Sequence, residues 1–225
     1  MERLIAKAKG GFRSVSLDAQ FKDAALANLE HWLVDDSFSE YRPAIEALIE
    51  GGSFALLVDS FYRMLPFGTG GRRGAVGIGP NRINPYSVVT SVQGHCEFLA
   101  RRFPDTQLEV VLAADVRCFQ DQRGRYPKEL LGPLDGLTSK QLCVMAAEVY
   151  SANGVRVYMA DPAEETYLST PELSFHIFEF KSHGGLNISA SHNPPDDNGA
   201  KFYNAAGGQE VPPMTKSWCE PESMG

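Results

Sequence analysis

The sequence has no continuous apolar run long enough to cross a bilayer, which argues against a transmembrane helix. Its first eleven residues are too polar for a signal peptide. The four cysteines, Cys96, Cys118, Cys143 and Cys219, show no Cys-x-x-Cys pair and no partnered histidines, so we expect free thiols in a cytoplasmic protein and no cysteine metal site. A net charge of −7 disfavours nucleic acid or an anionic membrane as a partner.

What is present fits a globular protein. The chain has 225 residues, of which 43% are hydrophobic and 22% charged, so it can bury a substantial core in one domain with an appendage. Apolar stripes predict helices over residues 17–35, 41–50 and 54–64, a region without evident chemistry. We therefore predict a helical N-terminal extension at 1–60, a main domain at 61–210 and a truncated linker or tail at 211–225.

Residues 84–204 alternate between helix and strand patterns. Asn84 with Pro85 marks a helix start, and Thr138 with Gln141 forms a capping-box signal. The predicted strands are 108–113, 155–159, 186–188 and 201–204, and the predicted helices are 85–102, 138–153 and 173–181. This order predicts an α/β fold, specifically a three-layer α/β/α domain with a mixed, mostly parallel four-stranded sheet.

The stretch from Gly184 to Gln209 is the most informative one. It holds Ser191 on a loop between two strands, stiffened by Pro194 and Pro195. We expect Asn198-Gly199 to take positive φ and turn the chain back. Asp196 and Asp197 are interpreted as solvated turn residues rather than metal ligands.

Ser191 does not fit a hydrolase nucleophile, because Ala-Ser-His-Asn-Pro lacks the glycines of a Gly-x-Ser-x-Gly elbow. His192 is adjacent, but neighbours on extended backbone point to opposite sides, so adjacency does not make it a base for Ser191. A plain polar turn is the alternative for the triplet alone.

A second stretch, 66–74, is rich in glycine and contains two adjacent arginines near its end. It fails the dinucleotide fingerprint and lacks the Gly-Lys-Ser/Thr ending of a P-loop. Glycine lets backbone N–H groups approach an oxyanion, and a guanidinium matches phosphate, so an anion cradle is one interpretation. A merely structural turn is the other.

The string Ser189-Ala-Ser191-His-Asn-Pro, an acidic stretch and then Asn-Gly-x-Lys201 resembles the phosphoserine loop of the α-D-phosphohexomutase superfamily, which includes phosphoglucomutase and phosphomannomutase. The resemblance implies that Ser191 carries a transferable phosphoryl group and acts as a metal ligand, with Lys201 as the cation beside it. It also implies substrate contacts from His192 and Asn193. The family often has threonine where this chain has Ser189.

Gly68-Thr69-Gly70-Gly71-x-Arg73-Gly74 is similar to the family's first loop. By this resemblance Arg73 is the catalytic arginine, and Thr69 and Gly70 belong to the substrate-binding set. Arg72 stands where many relatives carry an apolar residue, and we assign it no role. A later Asp115-x-Arg117 pair is expected to support the active-site loop rather than to react.

The resemblance implies an intramolecular phosphotransferase that moves phosphate between C1 and C6 of a sugar phosphate, or C5 of a pentose, through a bisphosphate intermediate. Mg²⁺ bound through phosphoserine and a metal loop, and glucose 1,6-bisphosphate as activator, are the implied cofactors. His192 is expected to orient or protonate a substrate hydroxyl, or else to be a hydrogen-bonded loop histidine.

The resemblance covers roughly 54–213, the first of the family's four domains, and lies nearest the phosphoglucomutase/phosphopentomutase branch. The family's metal, sugar and distal phosphate loops are not found in this sequence. We therefore expect a fragment that is inactive alone, with a sugar phosphate and the missing domains as partners. The alternative is a non-catalytic phosphosugar-binding or partner-binding module.

Overall fold

The computed structural model describes residues 1–68 and 70–211. Its helices are α1 Glu2–Phe12, α2 Ala19–Val34, α3 Arg42–Glu50, α4 Phe54–Phe61, α5 Pro85–Arg102, α6 Ser139–Ala152 and α7 Thr170–Glu179. Its strands are β1 Gly71–Ala75, β2 Glu109–Ala114, β3 Arg156–Tyr158, β4 Gly184–Ile188 and β5 Asp197–Asn204. The predicted linker or tail lies outside the described residues, apart from Val211.

The sheet has five strands in the order β1-β5-β4-β2-β3. The β2–β3 and β2–β4 pairs are parallel, whereas β4–β5 and β1–β5 are antiparallel. The predicted mixed α/β sheet is confirmed. The predicted number of four strands was wrong by one. The prediction of mostly parallel pairing is corrected, because two of the four strand pairs are parallel and two are antiparallel. The missed strand is β1.

β1 escaped prediction because its sequence, Gly-Arg-Arg-Gly-Ala, has no alternation of apolar residues. It forms because β5 offers a partner edge, with Gly71 opposite Lys201 and Arg73 opposite Gly199. Tertiary pairing overrides weak local preference here. The strand brings the glycine-rich loop beside the serine loop.

Helices cover both faces of the sheet, which confirms the three-layer architecture. On one face, alternate residues of the central strands enter the main core beneath α5 and α6, among them Leu112, Leu186 and Phe202. On the other face, Val111, Ala113 and Tyr203 pack with Leu173 and Ile177 of α7. Alternation along the strands thus supplies two apolar layers.

The helix starts follow their capping signals. Asn84 accepts a hydrogen bond from the backbone N–H of Ser87, and Thr138 accepts one from Gln141, each in a complete capping box. α7 begins after Ser169, whose side chain accepts from Glu172. The predicted helices at 85–102, 138–153 and 173–181 are therefore confirmed, with small shifts at their ends.

Helices α1 to α4 pack against one another, and Trp32 of α2, which is 2% exposed, contacts Phe61 of α4. The Trp32 ring stacks on Phe38 at 4.2 Å and meets Tyr86 of α5 edge-on at 5.5 Å. Sequence reasoning did not predict α1, whose buried residues are only Ala8 and Phe12. The division into an extension at 1–60 and a domain at 61–210 stays a proposal.

No helix in the described ranges is long and apolar enough to span a membrane. Cys96, Cys118 and Cys143 are free thiols, as predicted. Cys219 lies outside the part of the chain that the structure describes.

Candidate functional site

Ser191 lies on an exposed loop just beyond β4, with its backbone in the left-handed region at φ 59°. Its N–H donates to the Ser189 hydroxyl at 3.1 Å. The prediction that Asn198 and Gly199 take positive φ is wrong, because both lie inside β5. Gly199 is needed for close packing instead, since a Cβ there would meet the carbonyl oxygens of Arg72 at 2.8 Å and Ser189 at 3.0 Å.

Arg117 holds this loop in shape through its backbone carbonyls. Its Nη2 donates to Ser191 O at 2.7 Å and Asn193 O at 3.1 Å, and its Nη1 donates to Pro194 O at 2.7 Å and Asp197 O at 3.1 Å. A rigid guanidinium fork suits such multiple bonding. These contacts agree with the expectation from the sequence that Arg117 supports the loop.

Asp115 orients that guanidinium from the end of β2. Its carboxylate accepts from Arg117 Nε at 3.0 Å and from the Ser139 hydroxyl at 2.5 Å. Ser139 in turn accepts from Asn198 Nδ2 at 2.9 Å, at the start of β5. The first turn of α6, β2 and β5 are thereby joined beneath the serine loop.

Asp196 and Asp197 are buried, which corrects their interpretation as solvated turn residues. Asp196 accepts from the backbone N–H groups of Gln120 and Arg123, at 3.5 and 3.3 Å. Asp197 forms an ion pair with Arg123 at 2.8 Å. These carboxylates pin the loop to the segment that follows β2, because buried charge requires such partners.

Arg73 and Lys201 lie on the same face of the sheet, diagonally across the β1–β5 pair. With Ser191 and His192 they line an open cleft of about 500 Å³. The remaining lining residues are Pro66, Gly68, Gly71, Arg72 and Gln209. The structure therefore brings together the serine, the histidine and both predicted cations.

The cleft is electropositive. Within residues 1–68 and 70–211, no carboxylate forms a salt bridge with Arg72, Arg73 or Lys201. Burial lowers the pKa of Lys201, and the positive charge of Arg73 lowers it further. Both effects penalise the charged ammonium, so an anion placed in the cleft would be attracted and would relieve them.

His192 is closer to the serine hydroxyl than the sequence suggested. Its Nδ1 lies 3.5 Å from Ser191 Oγ, at the outer limit of a hydrogen bond. The expectation that the two side chains point apart assumed an extended backbone. The left-handed φ of Ser191 breaks that alternation.

Asn193 links the predicted cation to the loop framework. Its Oδ1 faces Arg73 Nη1 at 3.5 Å, and its Nδ2 donates to Asp197 at 2.9 Å. Gly70 has φ 74°, and a Cβ there would lie 2.7 Å from Gln209 Oε1. Thr69, the other residue predicted in the substrate set, lies outside the described residues.

Sequence reasoning missed two contributors to this site. Gln209 lines the cleft from beyond β5, and Arg123 anchors Asp197. Neither carries a recognisable local pattern, because each reaches the site only through tertiary packing. Arg123 is one of several arginines in the loop after β2, and nothing in its neighbours distinguishes it.

The described residues do not by themselves fit a Mg²⁺ site. Among them, no group of three or more histidine, cysteine, aspartate or glutamate side chains is placed to hold a metal ion. Mg²⁺ takes six oxygen ligands in near-octahedral geometry and commonly binds carboxylates and phosphates. The cleft offers the Ser191 hydroxyl beside cations, which is not a set of ligands that Mg²⁺ prefers.

The fold and the cleft define a class: an α/β/α domain that presents a serine to a cleft lined by arginine and lysine. Residues 136–219 match the family model described as phosphoglucomutase/phosphomannomutase, alpha/beta/alpha domain I. By this match and the similarities below, the chain belongs to the α-D-phosphohexomutase superfamily, and it corresponds to the first domain of that family.

Three curated relatives illustrate the similarity. The phosphopentomutase of Homo sapiens is 31% identical over 186 residues, 82% of this chain and 28% of that protein. The phosphoglucomutase of Staphylococcus saprophyticus is 32% identical over 160 residues, 71% of this chain and 24% of that protein. The glucose 1,6-bisphosphate synthase of Mus musculus is 31% identical over 185 residues, 82% of this chain and 27% of that protein.

A crystal structure of a Thermus thermophilus protein named as a phosphomannomutase shares the fold. It superposes with a TM-score of 0.53 at 23% identity, covering 68% of this chain and 29% of that one. The chain thus spans less than a third of the length of the curated relatives it matches.

Proposed function

We propose that this chain is the phosphoserine-carrying domain of a phosphosugar mutase. Such an enzyme moves phosphate between C1 and C6 of a hexose phosphate, or C5 of a pentose phosphate, through a bisphosphate. The observation that carries the proposal is the cleft in which Ser191 meets Arg73 and Lys201. Ser191 is held through its own backbone, by Arg117 at its carbonyl and by Ser189 at its N–H, so its hydroxyl stays available for transfer.

In the proposed step, Ser191 Oγ forms a bond to phosphorus as the bond from phosphorus to the sugar oxygen breaks. The serine proton leaves Oγ, and the departing sugar oxygen takes up a proton. Arg73 and Lys201 hold the phosphoryl oxygens and offset their charge, which is the main demand of phosphoryl transfer. The return step transfers the phosphoryl group from Ser191 to another hydroxyl of the sugar.

His192 is the proposed proton carrier for this exchange. Its Nδ1 lies 3.5 Å from Ser191 Oγ and its side chain is exposed to the cleft. An imidazole has one nitrogen that can accept a proton and can later return it. The sequence also suggested that His192 orients a substrate hydroxyl, and the same position of its side chain would allow that role.

Mg²⁺ and glucose 1,6-bisphosphate remain proposed cofactors. The metal would neutralise charge on the transferring group, but its further ligands have to come from beyond the described residues. Because the relatives are more than three times as long as their matched segments, turnover is proposed to need the family's other domains. The proposed compartment is the cytoplasm.

A binding module without catalysis is the second candidate. The cations of the cleft form no salt bridge within the described residues, and they favour binding as much as catalysis, since both functions need an anion site. The position of the Ser191 hydroxyl beside Arg73 and Lys201 favours the transferase, because a binding module needs the cations but has no physical need for the serine.

Intact mass after incubation with glucose 1,6-bisphosphate tests the proposal. The transferase predicts the added mass of one phosphoryl group, lost in Ser191→Ala. The module predicts ligand-induced thermal stabilisation without a covalent adduct. No adduct and no stabilisation would contradict both.

A further inference from the structure

Gln209 differs in chemistry from the other residues of the cleft. Among the described residues that line it, Gln209 alone carries a side-chain amide, and the other polar side chains are those of arginine, lysine, serine and histidine. An amide has an acceptor oxygen and two N–H donors but no charge, so it can pair with a ligand hydroxyl as donor or as acceptor. The proposed phosphoryl transfer leaves this residue without a role.

Gln209 lies on the same face of the sheet as Lys201. It stands opposite Tyr203 in an antiparallel bridge, and directly opposite residues share a face. Tyr203 and Lys201 are two residues apart on β5, so their side chains share that face as well. Backbone hydrogen bonds of 2.8 Å from the residues on either side of Gln209 fix this register. Gln209 and Lys201 are therefore diagonal neighbours, which lie about 7–8 Å apart and within reach of long side chains.

The amide of Gln209 is held on two sides. Its Nε2 donates to the Tyr203 hydroxyl at 3.3 Å, and Tyr203 is buried against Leu173 and Ile177 of α7. On the other side, a Cβ added at Gly70 would lie 3.0 Å from Gln209 Cβ, so the glycine permits a close approach of the two segments. The bond to Tyr203 is the one hydrogen bond that this amide makes with the described residues, which leaves Oε1 and one N–H for a ligand.

We propose that Gln209 binds hydroxyl groups of the sugar and thereby gives the cleft a preference for a sugar phosphate over a phosphate that carries no sugar. This role rests on the proposed function, in which Arg73 and Lys201 hold the phosphoryl oxygens beside Ser191. An ester oxygen joins the sugar to that phosphoryl group, so sugar hydroxyls lie a few bonds from Lys201, in the range that Gln209 can reach. A site that pairs with a hydroxyl discriminates against a ligand that lacks it, because its polar groups are then left unpaired.

Equilibrium binding in a Ser191→Ala background tests this role without covalent transfer. Calorimetry compares glucose 6-phosphate with methyl phosphate, a monoester without sugar hydroxyls, for the Ser191→Ala chain itself and for the same chain with Gln209→Met or Gln209→Asn. Gln209→Met keeps the length of the side chain but removes the amide. We expect it to weaken glucose 6-phosphate binding about fivefold to tenfold, the scale of a lost hydrogen bond. Methyl phosphate affinity should change by less than about twofold, and Gln209→Asn should lie between because its amide reaches less far.

Gln20→Met is the matched control, since it makes the same change at an exposed residue of α2, outside the cleft. It should leave the ratio of the two affinities unchanged. Equal affinity of the Ser191→Ala chain for both ligands would overturn the proposal, and so would an unchanged ratio in Gln209→Met. Equal weakening of both ligands, together with a lower melting temperature, would also overturn it and make Gln209 a structural support of Gly70.

The outcome is separable from that of the proposed function. Phosphorylation of Ser191 in the wild-type chain, with no change of the affinity ratio in Gln209→Met, would refute only the role of Gln209. A selective loss of glucose 6-phosphate binding in Gln209→Met, without phosphorylation of the wild-type chain, would refute the transferase and keep the sugar contact.

Discussion

Arg117 Nη2 lies 2.7 Å from the carbonyl oxygen of Ser191, so this serine is held by its backbone while its hydroxyl faces the cleft. The same guanidinium reaches three further carbonyls of the loop. Such a clamp fixes position without consuming the side chain that is proposed to react. Small displacements of a reacting group are costly in rate.

Arg117→Lys tests the clamp. A lysine keeps the charge but cannot span four carbonyls, so we expect Ser191 phosphorylation to slow by about tenfold or more. The free energy of unfolding should fall by about 2 kcal/mol. Hydrogen exchange of residues 191–197 should accelerate, whereas Arg101→Lys should change none of these. An unchanged exchange rate in the loop would contradict the clamp.

Asp197→Asn tests the second anchor. The change removes the ion pair with Arg123, which is partly exposed and so contributes modestly. We expect urea denaturation to show a loss of about 1 kcal/mol, with faster proteolysis at the serine loop. Asp135→Asn, an exposed substitution outside the loop, is the control. Equal effects of the two substitutions would show that the anchor is not specific.

Lys201 makes the affinity for anions sensitive to alkaline pH. Burial and the charge of Arg73 lower the pKa of Lys201 from 10.5, so the ammonium loses its proton at a lower pH than an ordinary lysine. Binding of inorganic phosphate should therefore weaken as pH rises through that lowered pKa. Lys201→Arg should keep its affinity over the same range. Parallel pH profiles would contradict this assignment.

The lowered pKa of Lys201 affects folding stability in the opposite direction from anion binding. Between the lowered pKa of Lys201 and 10.5, the unfolded chain binds more protons than the folded chain. The contribution of Lys201 to the free energy of unfolding therefore rises with pH in this window. Lys201→Met should remove that rise in denaturation measured at alkaline pH. Persistence of the full rise in Lys201→Met would argue against it.

His95 sets an acid limit on stability. Complete burial lowers its pKa from 6.5 to about 3, and its Nδ1 lies 2.6 Å from the Tyr150 hydroxyl. Below pH 6.5 the unfolded chain takes up a proton that the folded chain does not, so the free energy of unfolding decreases as the pH is lowered. Urea titrations between about pH 7 and 5 should show this slope, and His95→Gln should flatten it. An equal slope in both proteins would contradict the cause.

Local signals predicted most of the fold. Asn84, Thr138 and the apolar runs at 108–113 and 155–159 each act within a few residues, and each lies at the predicted place. β1 was missed because its stability comes from pairing with β5 rather than from its own residues. α1 was missed because only Ala8 and Phe12 of that helix are buried.

The features of the site likewise fall into those that local motifs predicted and those that depend on tertiary packing. The motifs led to Ser191, Arg73 and Lys201 as predicted site residues, and the pairing of β1 with β5 accounts for the proximity of Arg73 to Lys201. The burial of Asp196 and Asp197 depends on the segment after β2, more than seventy residues earlier in the chain. The left-handed φ of Ser191 was also missed, because the Asn-Gly pair is a stronger local signal for that conformation.

The most direct measurement is the position of the phosphoryl group after reaction of the chain with glucose 1,6-bisphosphate. Peptide mapping must distinguish Ser191 from Ser189, whose hydroxyl accepts the Ser191 N–H. We predict one phosphoryl group on Ser191, with strongly reduced incorporation in Arg73→Gln and Lys201→Met. Phosphate on Ser189, or incorporation unchanged by both cation substitutions, would contradict the account.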